Sequence, residues 1–257
     1  MNMEKETTTR FVAFSTQKGG VGKSTFTTLV ASLLHYRLGY NVVVFDCDFP
    51  QHSLVQMRER DLKAVMQDQG LKKMAQRLFT SIGKKAYPVI QCTADSFWEQ
   101  AENYLSGSDS PADVALVDLP GTVNSSGVLT LLAGVHHIFA PITADRIVLE
   151  STLSFTDVLQ NVMSRQENAR IRTISLFWNQ VDGREKSGLY ASYETIIRDM
   201  GLDLMESFIT DSKRFRKEGM ALQRGVFRST LLPAEERLMR DCRLSAFMEE
   251  FLKITGL

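Results

Sequence analysis

Along the chain, short runs rich in β-branched residues alternate with longer amphipathic stretches almost from end to end. The runs Phe11–Ser15, Val42–Phe45, Pro88–Gln91, Val114–Asp118, His137–Ala140, Thr173–Trp178 and Leu204–Phe208 predict strands. Between them, Lys23–Leu38, Leu54–Gly70, Lys72–Ile82, Ser96–Leu105, Asp145–Glu167, Ser187–Met200 and Pro233–Ile254 predict helices. Strands separated by helices of this length read as βαβ units on a parallel sheet. The segments NVVVFD and DVALVD are apolar nearly throughout, which suits strands covered on both faces. The expected class is therefore α/β, three layers around a mainly parallel, doubly wound sheet. No repeat or linker interrupts the pattern. The stretch Gly107–Pro111 (GSDSP) reads as a loop, because a strand pattern resumes directly after it. One domain over residues 1–257 is expected, with a flexible N-terminus at 1–9 and a helical elaboration at 57–110. In that elaboration Phe97, Trp98 and Tyr104 recur at near-helical spacing, which fits either core packing or a partner surface.

Charge narrows the field. Lys+Arg and Asp+Glu are equal at 30 each, so binding to a polyanion would need a local patch. Such asymmetry exists. Between Lys213 and Arg228 there are six basic residues and one acidic one, whereas Asp95 to Asp118 holds six acids and no base. The three cysteines, Cys47, Cys92 and Cys242, are far apart and form no CxxC, which argues against a disulfide framework or zinc ribbon. The polar start MNMEKETTTR lacks the apolar core of a signal peptide. The longest mostly apolar stretch, Val128 to Ile142, contains two histidines and is shorter than the about 20 residues a membrane span needs. A cytoplasmic protein is expected.

The strongest chemical signal is Lys18-Gly19-Gly20-Val21-Gly22-Lys23-Ser24-Thr25, between the strand FVAFS and a helix. Gly19, Gly20 and Gly22 let the backbone take positive φ and approach a phosphate without a Cβ in the way. Their N–H groups and the helix N-terminus form an anion nest, to which Val21 contributes its own amide. Lys23 is placed to neutralise β- and γ-phosphates, Ser24 to ligate Mg²⁺, and Thr25 to close the nest on the α-phosphate side. Lys18 is surplus to a single phosphate loop. At the loop's edge it is suited to a phosphate held by a facing subunit, as an arginine finger is. The alternative is a solvated surface lysine.

KGGVGKST resembles the deviant Walker A motif of the ParA/MinD ATPases, which have a P-loop NTPase fold and form nucleotide-sandwich dimers through that signature lysine. The resemblance spans about Thr9 to Thr255. It implies ATP and Mg²⁺ as cofactors, Lys18 as a residue acting in trans, and weak, partner-stimulated hydrolysis. The segment Asp46-Cys47-Asp48-Phe49-Pro50-Gln51 is similar to the family's DxDPQ. By that match Asp46 holds Mg²⁺ through its water shell and Asp48 positions the attacking water. Phe49 is an insertion relative to the family, which alters the path of the loop and the place of Gln51. Asp118, ending the buried run VALVD, has the Walker B arrangement and is expected in the outer shell of Mg²⁺. Gly121 offers a backbone N–H near the γ-phosphate, where the family often has proline. The Asn of NQVD, Asn179, matches the adenine-contacting residue, while Asp182 keeps guanine open.

Function classes follow from these motifs. A ParA-like ATPase would dimerise on ATP and bind DNA non-specifically through Lys213, Arg214, Arg216, Lys217 and Arg224. It would act in partition or transfer of a plasmid or conjugative element, with a ParB-like stimulating partner. A MinD-type positioning ATPase on a protein partner or membrane is the alternative. The last helix carries Glu249 and Glu250 and one lysine, so no membrane attachment is expected. A dethiobiotin-synthetase-like ligase is a third class, which Lys18 disfavours.

Overall fold

Among the described residues, seven strands form one sheet in the order β3-β2-β4-β1-β5-β6-β7, every adjacent pair parallel. They are β1 (Arg10–Phe14), β2 (Val42–Asp46), β3 (Val89–Gln91), β4 (Val114–Asp118), β5 (His137–Ile142), β6 (Thr173–Trp178) and β7 (Asp203–Leu204). Among the described residues the helices are α1 (Lys23–Tyr36), α2 (Ser53–Gln67), α3 (Gln69–Ile82), α4 (Phe97–Gly107), α5 (Ser126–Gly134), α6 (Arg146–Arg165), α7 (Gly188–Asp199), α8 (Glu236–Asp241) and α9 (Leu244–Thr255). This computed structural model describes residues 9–108, 110–121, 126–165, 169–182, 188–212 and 228–257. The α/β class with a parallel, doubly wound sheet is as expected.

Alternation along β1 explains the layering. Val12 and Phe14 face a cluster with Phe26 and Leu33 of α1 and Phe247 and Phe251 of α9. Phe11 and Ala13 face the other side, with Phe97 of α4, Leu131 of α5 and Phe155 of α6. A strand buried on both faces has no polar side, which is why β2 and β4 read as unbroken apolar runs. The stripe Phe97, Trp98, Tyr104 belongs to this packing. Phe97 is fully buried against Phe45 and Trp98, and the other two side chains pack on the same cluster.

The departures from the pattern each have a cause. The single helix expected at Pro233–Ile254 breaks at Arg243, which takes a left-handed conformation and lays its guanidinium 4.1 Å from the Phe208 ring centroid. The strand expected at Leu204–Phe208 stops after Leu204. There the N–H groups of Glu206 and Ser207 turn to the Glu250 carboxylate on α9, at 2.9 and 2.8 Å. The break expected near Gly70 falls at Asp68, whose side chain caps α3 by accepting from the Leu71 N–H at 2.9 Å. The helix α5 was absent from the expected elements, because its residues are apolar nearly all round and merge with β5 into one stretch.

Candidate nucleotide site

Register brings the site together. Phe14 pairs with Asp118, and Asp118 pairs with Asp46, so β1, β2 and β4 end at one level at the sheet's carboxyl edge. The phosphate loop leaves β1 at that same edge, where ligands of open α/β sheets bind. Gly20 (φ 78°) and Gly22 (φ 99°) take the left-handed conformation that only glycine adopts freely. Gly22 is the N-cap of α1 and supplies no side-chain acceptor, so the first turn of the helix presents its N–H groups to the cavity. No acidic residue sits in that turn to compete with an anion.

Lys23 is 7% exposed, and its Nζ donates to the Lys18 carbonyl at 3.0 Å. Burial lowers its pKa, opposed by the Asp118 and Asp48 carboxylates. The Lys18 side chain makes no hydrogen bond or ion pair among the described residues, and it is half-buried. Gly121 comes against the loop from β4: a Cβ there would lie 3.5 Å from Gly19 Cα and 3.7 Å from Lys23 Nζ. The cavity that these groups border has a volume of about 720 Å³ and is walled by Gly20, Lys23, Thr25, Asp48, Gly121 and Arg228.

The carboxylates occupy different environments. Asp118 is fully buried, and neither of its oxygens has a formed hydrogen bond. Burial pushes its pKa up to about 7, reinforced by Asp46 and Asp48 and countered by the Ser24 hydroxyl and Lys23. A buried carboxylate with so little compensation is a group suited to a positive charge. Asp46 is also buried, but its oxygens are engaged: Oδ2 accepts from the Leu54 and Val55 N–H groups, both at 2.9 Å, and Oδ1 from the Asp48 N–H at 3.2 Å. Its carboxylate thus caps α2, and burial raises its pKa against those hydrogen bonds. Asp48 is half-buried on the cavity wall and accepts from the Ser53 hydroxyl at 3.0 Å. Between them Cys47 is buried, its Sγ 3.2 Å from that of Cys92, and that neighbour and burial push its thiol up. Phe49, next along this loop, is 63% exposed.

Among the described residues no three His, Cys, Asp or Glu side chains converge to hold a metal by themselves. A divalent cation here would lean on phosphate oxygens and water, as Mg²⁺ does. Ser24 beside the buried Asp118, below a helix N-terminus, is a donor set that fits Mg²⁺ with a nucleotide.

Two expected roles look different in three dimensions. Asn179 lies behind the loop rather than on the cavity wall. It is 5% exposed, its Nδ2 donates to the Val21 carbonyl at 2.8 Å, and its Oδ1 accepts from the Gln180 N–H at 2.8 Å. Its polar atoms brace the loop, whatever lies beyond it. Arg228, read from the sequence as the last charge of a basic run, instead enters the cavity and donates to the Thr25 hydroxyl. Arg60 and Met57 of α2 line the same space and carry no sequence signal of it. The remaining basic residues, Lys213, Arg214, Arg216, Lys217 and Arg224, lie outside the described residues.

The family model for the CobQ/CobB/MinD/ParA nucleotide binding domain matches residues 12–222. The chromosome-partitioning ATPase Soj of Thermus thermophilus is 27% identical over 188 residues, covering 68% of this chain and 71% of the relative. Among solved structures, a plasmid partition protein of Borrelia burgdorferi bound to AMPPNP superposes with TM-score 0.58 at 15% identity, over 96% of this chain and 99% of that one. The MinC:MinD cell division complex of Aquifex aeolicus gives TM-score 0.53 at 13% identity, over 80% and 83%.

Proposed function

This chain belongs to the CobQ/CobB/MinD/ParA nucleotide-binding family, and from that premise we propose that it is a ParA-like ATPase that dimerises around ATP and then binds DNA without sequence preference. The reading extends to partition or transfer of a plasmid or conjugative element, with a stimulating partner protein of ParB type. The observation that carries it is the division of labour between two lysines. Lys23 is buried and turned into its own loop, while the half-buried Lys18 side chain has no partner among the described residues. A second cation of the loop that its own site leaves unused is best used by the phosphates of a second subunit.

In this reading the N–H groups of Gly20, Val21 and Gly22 and the start of α1 cradle the phosphates, and Lys23 leaves the Lys18 carbonyl to neutralise them. Mg²⁺, when bound, supplies further charge neutralisation at the β- and γ-phosphates. Ser24 and Asp118 would hold it, with Asp46 acting through its field and through water. Asp48, held by Ser53 on the cavity wall, orients a water for attack. The Gly121 N–H stands where a γ-phosphate is present before hydrolysis and absent after it. Adenine is preferred to guanine because NQVD lacks the lysine that a guanine pocket packs on the base. Lys213, Arg214, Arg216, Lys217 and Arg224 are proposed as phosphate contacts for DNA, doubled on a dimer.

Light scattering and duplex titration test the proposal. With ATP, the wild type should form a dimer and bind two unrelated duplexes alike, with affinity falling steeply as salt rises. Lys18→Ala should bind nucleotide yet stay monomeric and lose ATP-dependent DNA binding. A Lys18→Ala protein that dimerises as the wild type does would sink the trans-acting role. A MinD-type positioning ATPase acting on a protein partner or membrane is the alternative reading, and the structure bears on its membrane form. The apolar face of α9 is already spent on the core through Phe247 and Phe251, so that helix is not free for a lipid surface.

A further inference from the structure

Arg228 stands 203 residues along the chain from Thr25, yet it donates to that residue's hydroxyl and forms part of the cavity wall. Its position is not left to a loose loop. The residues that follow it are tied down by side chains of α1 and α2. The Asp61 carboxylate of α2, 2% exposed, accepts from the Thr230 N–H at 2.7 Å, the Thr230 hydroxyl at 2.9 Å and the Ser229 hydroxyl at 3.1 Å. Arg58 of α2 donates to the Thr230 hydroxyl and carbonyl at 2.9 and 3.0 Å. From α1, the Ser32 hydroxyl donates to the Ser229 carbonyl at 2.6 Å and the Tyr36 hydroxyl to the Thr230 carbonyl at 2.8 Å. Leu231 and Leu232 are buried against Leu71 and Ala75 of α3. So many buried bonds on two residues hold the Arg228 backbone at a set distance from the helix N-terminus.

This placement rests on the nucleotide reading above and adds a component to it. We propose that Arg228 is a phosphate-binding residue of the site, directed at the phosphates nearer the nucleoside of a bound nucleoside di- or triphosphate. Lys23 and Ser24 lie on the side of Gly121 and Asp118. Thr25 is the next residue along the first turn of α1, and Arg228 meets the cavity there. A guanidinium presents several donors in a planar fork, so it can keep the Thr25 hydroxyl and bind a phosphate oxygen together. Because that contact does not involve the γ-phosphate, its strength is the same for the di- and the triphosphate.

Hydrogen bonds link the phosphate site to α2 at its start and at its middle. Asp46 caps the start of that helix, and Asp61 and Arg58, further along it, hold the backbone that carries Arg228. A nucleotide bound to Arg228 therefore stiffens Ser229–Leu232 as well as the loop.

Calorimetry of ADP and of a non-hydrolysable ATP analogue, with Mg²⁺, on wild type, Arg228→Gln, Arg228→Lys and Lys23→Ala tests this. Arg228→Gln should weaken both nucleotides by a similar factor, about tenfold to a hundredfold, as loss of a charge-assisted hydrogen bond does. Arg228→Lys should fall between it and the wild type. Wild-type affinity in Arg228→Gln overturns the proposal and reduces Arg228 to a strut for Thr25, even where the nucleotide-free protein melts earlier. A loss confined to the triphosphate overturns the assignment to the phosphates nearer the nucleoside. Lys23→Ala separates this from the underlying reading: if it binds both nucleotides normally, the site itself is misassigned. Should Arg228→Gln fail to fold, hydrogen exchange on the wild type decides. The amides of Ser229–Leu232 should exchange more slowly with ADP and Mg²⁺ present, and unchanged exchange there overturns the proposal.

Discussion

The Asn179 amide, 2.8 Å from the Val21 carbonyl, fixes the middle of the phosphate loop against the end of β6. A Cβ on Gly22 would come within 3.1 Å of the same nitrogen, so loop and asparagine are fitted to each other. Asn179→Ala would leave the Val21 carbonyl without its partner, a change that costs about 1–3 kcal/mol when the group is buried. The variant should unfold at lower denaturant concentration and bind nucleotide more weakly, because the loop's N–H groups would no longer be pre-aimed. Urea titration followed by nucleotide binding checks both, and a variant with unaltered affinity would remove Asn179 from the positioning of the loop. Asp118 shows a different logic at the same scale. Ser24 and Lys23 relieve its burial cost only in part, in keeping with a site that is completed by a bound cation.

Among the elements, α4 and α5 meet through a missing side chain. A Cβ on Gly134 would stand 2.2 Å from Trp98 Cζ2, so Trp98 fills the volume a larger residue would need. Trp98 in turn packs on Phe97 and Phe11, with ring centroids 4.7 and 5.1 Å away. Gly134→Ala should therefore destabilise by about 1–3 kcal/mol, the usual cost of overpacking. The indole must shift, so the change should be visible in tryptophan fluorescence at the same time as the denaturation midpoint falls. A midpoint equal to that of the wild type would mean that the end of α5 gives way freely. The two final helices carry a related lesson. Cys242 is buried and Arg243 stacks on Phe208, and those two contacts, with no glycine or proline between, divide α8 from α9.

Across the whole molecule, the two edges of the sheet are electrostatically opposite in use. At the carboxyl edge, carboxylates and lysine converge on the cavity. At the amino edge, burial together with Arg172, Arg10 and Arg170 holds the His136 pKa down to about 4, and burial together with His136, Arg172 and Arg10 does the same for His137. The His136 Nδ1 accepts from the Phe11 N–H at 3.0 Å and the His137 Nδ1 lies 2.9 Å from the Thr173 hydroxyl, so protonation at the His136 Nδ1 breaks a bond to β1. Because the folded-state values are depressed below the ordinary 6.5, the unfolded chain binds protons that the folded one refuses. Their contribution to stability is complete above pH about 6.5 and is lost as pH falls toward 4. Thermal melts from pH 7.5 to 4.5 should show a declining midpoint, and the double variant His136→Asn, His137→Gln should decline less steeply over that window. Parallel curves for the two proteins would assign the acid sensitivity elsewhere.

The parts of this protein that local spacing determined are the parts legible in the sequence. The apolar runs of β2 and β4, the glycines and lysines of the phosphate loop, and the aspartates that end two strands each depend on residues within a few positions of one another. Their backbone preferences and chemistry are therefore written consecutively. Tertiary structure decided what depends on distant residues. It set the pairing of Asp46 beside Asp118, and it spent the Asp46 carboxylate on the N-terminus of α2. It shortened β7 because Glu250, from the last helix, took the N–H groups that a longer strand needs. It also placed Arg228 against Thr25, since Asp61 and Arg58 hold the backbone that follows Arg228. A charge in a basic run carries no local mark of which way the chain turns after it. That direction comes from buried hydrogen bonds to helices formed nearly two hundred residues earlier, and only the folded chain contains them.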